Sequence, residues 1–366
     1  MEIEAASEIR NMSTQTNITL TASTENYDDY ADTTFDYNNY EERCEKSDVR
    51  MFAQIFLPAF YSVAFVLGTA GNSLVVAIYA CHKKTKTKTD VYILNLAIAD
   101  LLLLFTLPFW AVDSAVGWLF GTGMCKITSA LYTVNFGSGM QFLACISLDR
   151  YFTVNKASSH RNFAKRCRAI CLFVWATSIL LSIPDFYFST VKEHNGRRTC
   201  LPEYPKDSVK VMTVLIQILD IVFCFVLPFF IMLYCYSAMA KVLLKKDNIK
   251  RSRSLKVLLS VVAIFLITQL PYNIIKFWRA IDLIYALITI CNTSRTIDIM
   301  IQVTKSIALF HCCLNPVLYA FMGATFQSYI TKTIKKCGFW QKQTSSAEEY
   351  SMHSENHVEE TISLSL

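Results

Sequence analysis

Residues 127–148, ITSALYTVNFGSGMQFLACISL, carry no charge over 22 positions and then run straight into Asp149-Arg150-Tyr151. At about 1.5 Å per residue a helix of this length reaches roughly 33 Å, enough to cross about 30 Å of bilayer hydrocarbon. An acid and a base fixed where an apolar helix leaves the membrane point to a switch at the boundary.

Outward from this stretch, the chain is 53% hydrophobic and only 17% charged, and its apolar residues fall in long blocks rather than at amphipathic spacing. That excludes a soluble core and predicts an all-α membrane protein, a seven-transmembrane helix bundle. The seven spans are expected at 52–80, 91–116, 127–154, 169–188, 209–240, 255–283 and 297–322. Pro58, Pro108, Pro228, Pro271 and Pro316 lie inside spans and predict kinked helices, because neighbouring groups can re-satisfy the freed carbonyls. No internal repeat or series of charged spans is visible, which argues against a transporter or channel.

Lys83, Lys84, Lys86 and Lys88 follow span 1, Arg161, Lys165, Arg166 and Arg168 follow span 3, and Lys245, Lys246, Lys250, Arg251 and Arg253 follow span 5. Basic short loops stay in the cytosol, so the N-terminus lies outside. Residues 1–50 have no apolar signal-peptide core, so span 1 is expected to act as its own uncleaved insertion signal. The resulting domains are an outer acidic Tyr-rich tail (1–50), the bundle (51–323), an amphipathic interfacial helix (324–336) and a cytosolic Ser/Thr-rich tail (337–366).

Of thirteen cysteines, Cys44, Cys125, Cys200 and Cys291 fall in outer, oxidising segments. Four cysteines allow three pairings. Cys44 precedes span 1 and Cys291 precedes span 7, neighbours in a closed ring, which favours Cys44 with Cys291 and Cys125 with Cys200. Asn11, Asn17 and Asn292 head glycosylation acceptor triplets, all on the outer side.

Residues 1–50 hold 12 acidic and 4 basic residues, a net of −8 in a chain of +6, so the remainder carries +14. A basic partner follows from that asymmetry. Tyr27, Tyr30, Tyr37 and Tyr40 sit beside acidic residues, a context for sulfation that would add charge for a partner's Arg and Lys; the alternative is an unmodified solvated tail.

Polar residues inside a bundle are costly and invite a functional reading. Asn72, Asp100 and Asn315 are candidates to converge on water or a sodium ion, or to form a structural hydrogen-bond cluster. No metal-ligand spacing, phosphate loop or nucleophile and base motif occurs, so neither an enzyme nor a cofactor is expected, and His311 reads as a packed polar residue.

Gly71-Asn72, Leu96-Ala97-Ile98-Ala99-Asp100, Asp149-Arg150-Tyr151 and Asn315-Pro316-Val317-Leu318-Tyr319, each in its expected span, resemble the rhodopsin-class G-protein-coupled receptors. Thr106-Leu107-Pro108-Phe109-Trp110, the four outer cysteines and His311-Cys312-Cys313-Leu314-Asn315-Pro316 resemble the chemokine receptors, over nearly the whole chain. Thr89 to Leu96, Met140 to Ser147, Thr268 to Asn273 and the 301–316 stretch are similar to the atypical, scavenging branch of that family.

That resemblance implies basic CC chemokines as ligands, homeostatic ones such as the secondary lymphoid tissue and thymus-expressed chemokines. It further implies their uptake without migration, arrestin and receptor kinases as partners, and no nucleic acid. It implies a plasma-membrane location with passage through early and recycling endosomes, and oligomerisation with other chemokine receptors. It places Tyr61, Trp110 and Tyr132 around the ligand's flexible N-terminus, although aromatics in a membrane helix are as often packing. Asp149, Arg150, Tyr151, Pro271, Asn315, Pro316 and Tyr319 become switch residues.

Two departures stand out. Where the family usually has a glutamate in span 7, this chain has Lys305, which cannot accept a ligand ammonium. Asp220, about 16 Å into span 5, and Lys305, about 12 Å into span 7, have similar depths. Asp220 is thus a candidate to pair Lys305, to supply the missing acid, or to be an unrelated water-exposed acid.

After Asp149-Arg150-Tyr151 the signalling members usually continue Leu-Ala-Ile-Val; here Phe152-Thr153-Val154-Asn155 puts a hydroxyl and an amide on the docking surface. That favours a scavenger over the alternative, a G-protein-signalling receptor driving chemotaxis. In span 6, Thr268-Gln269-Leu270-Pro271 has an amide where the wider class has an indole, while Pro271 keeps the kink. At the inner end Cys337 is a palmitoylation candidate, and Thr344, Ser345, Ser346, Ser351 and Ser354 are phosphorylation candidates for an arrestin's basic groove.

Overall fold

In lipid a backbone must satisfy its own hydrogen bonds, and long apolar helices do so. The computed structural model describes residues 44–81, 88–154, 163–194, 196–244 and 249–322. Span 1 is Ser47–Cys81, span 2 Lys88–Val116, span 3 Gly121–Val154, span 4 Phe163–Phe188, span 6 Ile249–Tyr285 and span 7 Cys291–Met322. Span 5 comprises Val209–Asp220, Ile221–Val226 and Leu227–Leu244. Most begin several residues before the apolar blocks, because polar ends continue the helix outside the hydrocarbon.

Span 1 packs on spans 2 and 7, span 7 on span 6, and span 6 on span 5, which closes the ring; span 3 touches spans 2, 4 and 5 near the centre. Large apolar side chains such as Ile55, Val66, Leu172, Phe173, Leu180 and Phe230 face outward, while Asn72, Asp100, Ser147, Gln269 and His311 are buried. Apolar outside and polar inside is the reverse of a soluble bundle, and suits a lipid solvent.

Spans 1, 2, 4, 5 and 7 are apolar enough to cross a membrane by length and composition alone. Span 3 falls short because its central position lets it bury Thr128, Ser129, Asn135, Ser138 and Ser147 against other helices.

Two local features were not anticipated from sequence. Residues Ile221–Val226 wind as a π-helix just before Pro228. Proline lacks an N–H and its ring crowds the carbonyl four residues back, here Cys224, so a wider turn relieves the clash. Pro184 also lies inside span 4, in addition to the prolines noted above.

Between spans 4 and 5, β1 (Ser189–His194) pairs antiparallel with β2 (Arg197–Pro202), with Val191 opposite Cys200. This hairpin packs on the outer end of span 3. Trp118 N donates to Arg198 O at 2.7 Å, just after Gly117 at φ +101°, where a Cβ would stand 2.7 Å from that same oxygen. Only glycine fits there.

Candidate functional site

Both favoured disulfides are present, Cys44 with Cys291 and Cys125 with Cys200. The first ties the chain before span 1 to the start of span 7, and the second ties β2 to the outer end of span 3. Together they hold a hairpin and a tail root over the mouth of the bundle.

Below the mouth, Tyr61 from span 1 and Trp110 from span 2 are buried, and Trp110 lies 5.4 Å from Trp118 between ring centroids. Trp118 is fully buried and donates from Nε1 to Gly121 O at 2.8 Å, so the loop after span 2 is part of the aromatic wall. Lys305 Nζ stands 5.1 Å over the Tyr132 ring, and Tyr132 stacks on Phe136 at 6.1 Å. Tyr61 lies within electrostatic reach of Lys305, Tyr132 and Asp113, so four spans converge here.

Asp220 meets a different lysine from the one considered in the sequence. Lys276 Nζ of span 6 approaches Asp220 Oδ2 at 3.2 Å, and also lies 5.9 Å from the Tyr272 ring. Nothing in the linear sequence singled out Lys276, since partners across spans depend on helix rotation.

Above this pair lies a buried ion cluster. Asp298 of span 7, fully buried, receives Lys46 Nζ at 2.5 Å and Arg279 Nη2 of span 6 at 3.0 Å. Arg279 Nη1 lies 3.5 Å from Asp282, whose other oxygen accepts Ile288 N at 2.8 Å. The tail root, span 6, the loop before span 7 and span 7 are thereby joined.

At mid-membrane, Asn315 Nδ2 donates to Asp100 Oδ2 at 2.8 Å. Asn72, the third residue of that group, instead donates to Gly68 O at 3.0 Å and Cys312 O at 3.1 Å, bracing span 1 on span 7. A cavity of about 10 Å³ beside Asp100 and Asn315, at the lower limit for one water, is lined also by Asn135 and His311. Asn135 Oδ1 and His311 Nε2 have no hydrogen-bond partner among the described residues. The sequence does not pair these two polar groups, because they lie on spans 3 and 7 and meet only through the packing of the bundle.

A sequence model described as "7 transmembrane receptor (rhodopsin family)" matches residues 71–319. The chain is 59% identical over 333 residues to human atypical chemokine receptor 4, covering 91% of this chain and 94% of that protein. The bovine protein of the same name is 57% identical over the same shares of each chain. The chain belongs to the chemokine receptors, within the rhodopsin family. Mouse C-C chemokine receptor type 9 is 40% identical over 299 residues, 81% of each chain.

On the inner face of this chemokine receptor, Asp149 accepts from Thr89 Oγ1 of span 2, and Arg150 is exposed. Tyr151 and Tyr234 hydroxyls lie 3.5 Å apart, linking spans 3 and 5 beside the Ser147 Oγ to Tyr236 hydroxyl bond of 2.9 Å. Thr153 Oγ1 turns back to Asp149 O at 2.7 Å.

Around Pro271, the receptor ties span 6 to span 7 twice: Thr268 Oγ1 lies 2.9 Å from His311 Nδ1, and Gln269 Nε2 donates to Ala308 O at 2.9 Å. The amide that stands in place of an indole is therefore a helix-to-helix strut. Pro316 faces Gly71, whose added Cβ would meet its Cγ at 3.0 Å.

Asn292 is exposed in the first turn of span 7. Asn11, Asn17, Tyr27, Tyr30, Tyr37, Tyr40, Asn155, Cys337, Thr344, Ser345, Ser346, Ser351, Ser354 and the 324–336 helix lie outside the described residues, as does the Tyr319 side chain.

Proposed function

We propose that this receptor captures basic CC chemokines, among them the secondary lymphoid tissue and thymus-expressed chemokines, and removes them by internalisation with little or no G-protein signalling. One observation carries the reading: the 59% identity to human atypical chemokine receptor 4 against 40% to mouse C-C chemokine receptor type 9. The polar residues Thr153 and Asn155 after Asp149-Arg150-Tyr151 support it, because they alter the surface a G protein would meet.

Capture begins at the acidic tail, with Tyr27, Tyr30, Tyr37 and Tyr40 sulfated and Asn11, Asn17 and Asn292 glycosylated. The ligand's flexible end then enters among Tyr61, Trp110, Tyr132 and Lys305, with Asp220 acting through Lys276. Asp100 and Asn315 hold a sodium ion or water beneath the pocket, while Asn72 braces span 1 on span 7.

Receptor kinases phosphorylate Thr344, Ser345, Ser346, Ser351 and Ser354, and arrestin binds the phosphates. Cys337 palmitoylation holds the inner helix at the membrane. The receptor works at the plasma membrane, cycles through early and recycling endosomes, associates with other chemokine receptors, and performs no enzymatic step. The second reading, a signalling chemotactic receptor, is favoured by the intact Asp149-Arg150-Tyr151. Measuring inhibitory G-protein activation and labelled-chemokine uptake in the same cells decides between them: strong activation with little uptake overturns the scavenger.

A further inference from the structure

Span 4 meets the cytosolic membrane surface with three bases on its outward side. Lys165, Arg166 and Arg168 are exposed, and among the described residues none of them has an ion-pair or hydrogen-bond partner. At 3.6 residues per turn the three cover an arc of about 160° on the helix. Leu172 and Phe173, 64% and 67% exposed, fall within the same arc, about 6 to 8 Å further into the membrane than Arg168, while Cys167, Cys171 and Val174 on the opposite side are buried. A cationic turn is thus followed, on one lipid-facing strip, by a bare apolar turn.

Lys88, at the start of span 2, lies within electrostatic reach of Cys167, so a fourth cation stands near the strip. Among the described residues the acids of this end are Asp90 and Asp149, and both are engaged by hydroxyls of the bundle: Asp90 is buried and accepts from the Tyr79 hydroxyl at 3.3 Å, and Asp149, also within reach of Cys167, accepts from Thr89 Oγ1. Orientation in the membrane calls for basic cytosolic loops. It does not call for three bases on the lipid-facing arc of one helix above exposed apolar side chains.

We propose that this strip binds a bisphosphorylated inositol phospholipid of the cytosolic leaflet, its headgroup phosphates on Lys165, Arg166 and Arg168 and an acyl chain along Leu172 and Phe173. The inference depends on which end of span 4 faces the cytosol and not on the chemokine that the receptor takes. Each phosphomonoester carries about −1.5 to −2 at pH 7, so two of them match the charge of the three bases. A phosphatidylserine headgroup, with its single net charge, would leave most of that charge unmet. The planar guanidinium forks of Arg166 and Arg168 suit phosphate oxygens in pairs, and basic sites beside membrane helices on the cytosolic side recognise such headgroups. The lipid would pin the inner end of span 4, and with it the loop that leads there from Asp149-Arg150-Tyr151.

The test uses purified full-length receptor in phosphatidylcholine nanodiscs that carry a labelled, bisphosphorylated phosphatidylinositol, with the lipid retained per receptor as the readout. Lys165→Gln, Arg166→Gln and Arg168→Gln should each weaken retention about fivefold, and about a hundredfold in combination. Lys241→Gln, at an exposed base on the inner end of span 5, should leave retention unchanged. Phosphatidylserine supplied at equal total charge should compete about tenfold less well than the unlabelled inositol lipid.

Undiminished retention by the triple variant overturns the proposal, as does an equal loss in Lys241→Gln. Phosphatidylserine competing as well as the inositol lipid overturns it too, because the strip would then read charge alone; this arm needs no receptor variant to fold. Soluble inositol trisphosphate competing as well as the intact lipid would show that the apolar turn takes no part, and would replace the lipid with a free phosphate ligand.

Discussion

The outer and inner ends of the bundle are held together by different chemistry. At the outer end, two disulfides, a hairpin and a buried cluster of Lys46, Arg279, Asp282 and Asp298 join the tail root to spans 3, 6 and 7. At the inner end, the described links between spans are single hydrogen bonds: Thr89 to Asp149, Ser147 to Tyr236, Tyr151 with Tyr234. Covalent and ionic ties fix the ligand end in one shape. Hydrogen bonds worth about 1 kcal/mol each leave the effector end free to exchange partners. A receptor needs that division, with a rigid mouth and an inner face near balance.

The largest effect is expected from cutting the covalent part of the outer end. Cys125→Ser, which releases β2 from span 3, should cost about 2–5 kcal/mol and remove most receptor from the cell surface, read by antibody against the outer tail. Normal surface level and normal chemokine binding would dissolve the distinction between the ends.

Next comes the ionic part. Asp298→Ala leaves the buried Arg279 without its 3.0 Å partner and Lys46 without its own, and should destabilise purified receptor by about 3–5 kcal/mol in thermal unfolding. Replacing Asp298 and Arg279 together by apolar residues should recover part of that loss, because the buried Arg279 charge goes with its partner, while Lys46 and Asp282 each still lose one ionic contact. If the double variant is as unstable as Asp298→Ala, shape rather than charge holds this corner.

Much of this architecture was legible in the sequence. Hydropathy is a local property, so seven apolar blocks gave seven spans, and closure of the ring put Cys44 near Cys291. The cross-span ion pairs were not legible, because whether Asp220 faces Lys276 or Lys305 depends on the rotation of span 5, which the π-turn at Ile221–Val226 resets. The hairpin did leave a signal: Asn-Gly, the sequence at 195–196, is a favoured dipeptide for two-residue hairpin turns, and the flanking His194 and Arg197 pair in the sheet. The charged residues around it hide the alternation that marks a strand.

Between the two ends, the struts of span 6 should give intermediate effects. Gln269→Leu removes the 2.9 Å bond to Ala308 O and should cost about 1–3 kcal/mol in thermal stability, since that carbonyl is buried. Its effect should fall between those of Asp298→Ala and any single inner-face bond. A neutral result would move the boundary between rigid and mobile halves above Pro271.

The smallest structural effect is expected at the inner surface, where the functional effect is most informative. Thr153 is exposed and, among the described residues, its hydroxyl bonds to the Asp149 carbonyl of its own helix, so Thr153→Ala should change stability by about 0.5 kcal/mol or less. Paired with Asn155→Val, it restores the apolar character that the signalling relatives are expected to present there. If the hydroxyl and amide are what block coupling, the double variant should gain inhibitory G-protein activation while chemokine uptake and thermal stability stay as they were. Unchanged G-protein output would place the block elsewhere, most directly in the Thr89 hold on Asp149, and Thr89→Val, which removes that hold at a cost of about 1 kcal/mol, becomes the variant that separates a docking defect from a locked switch.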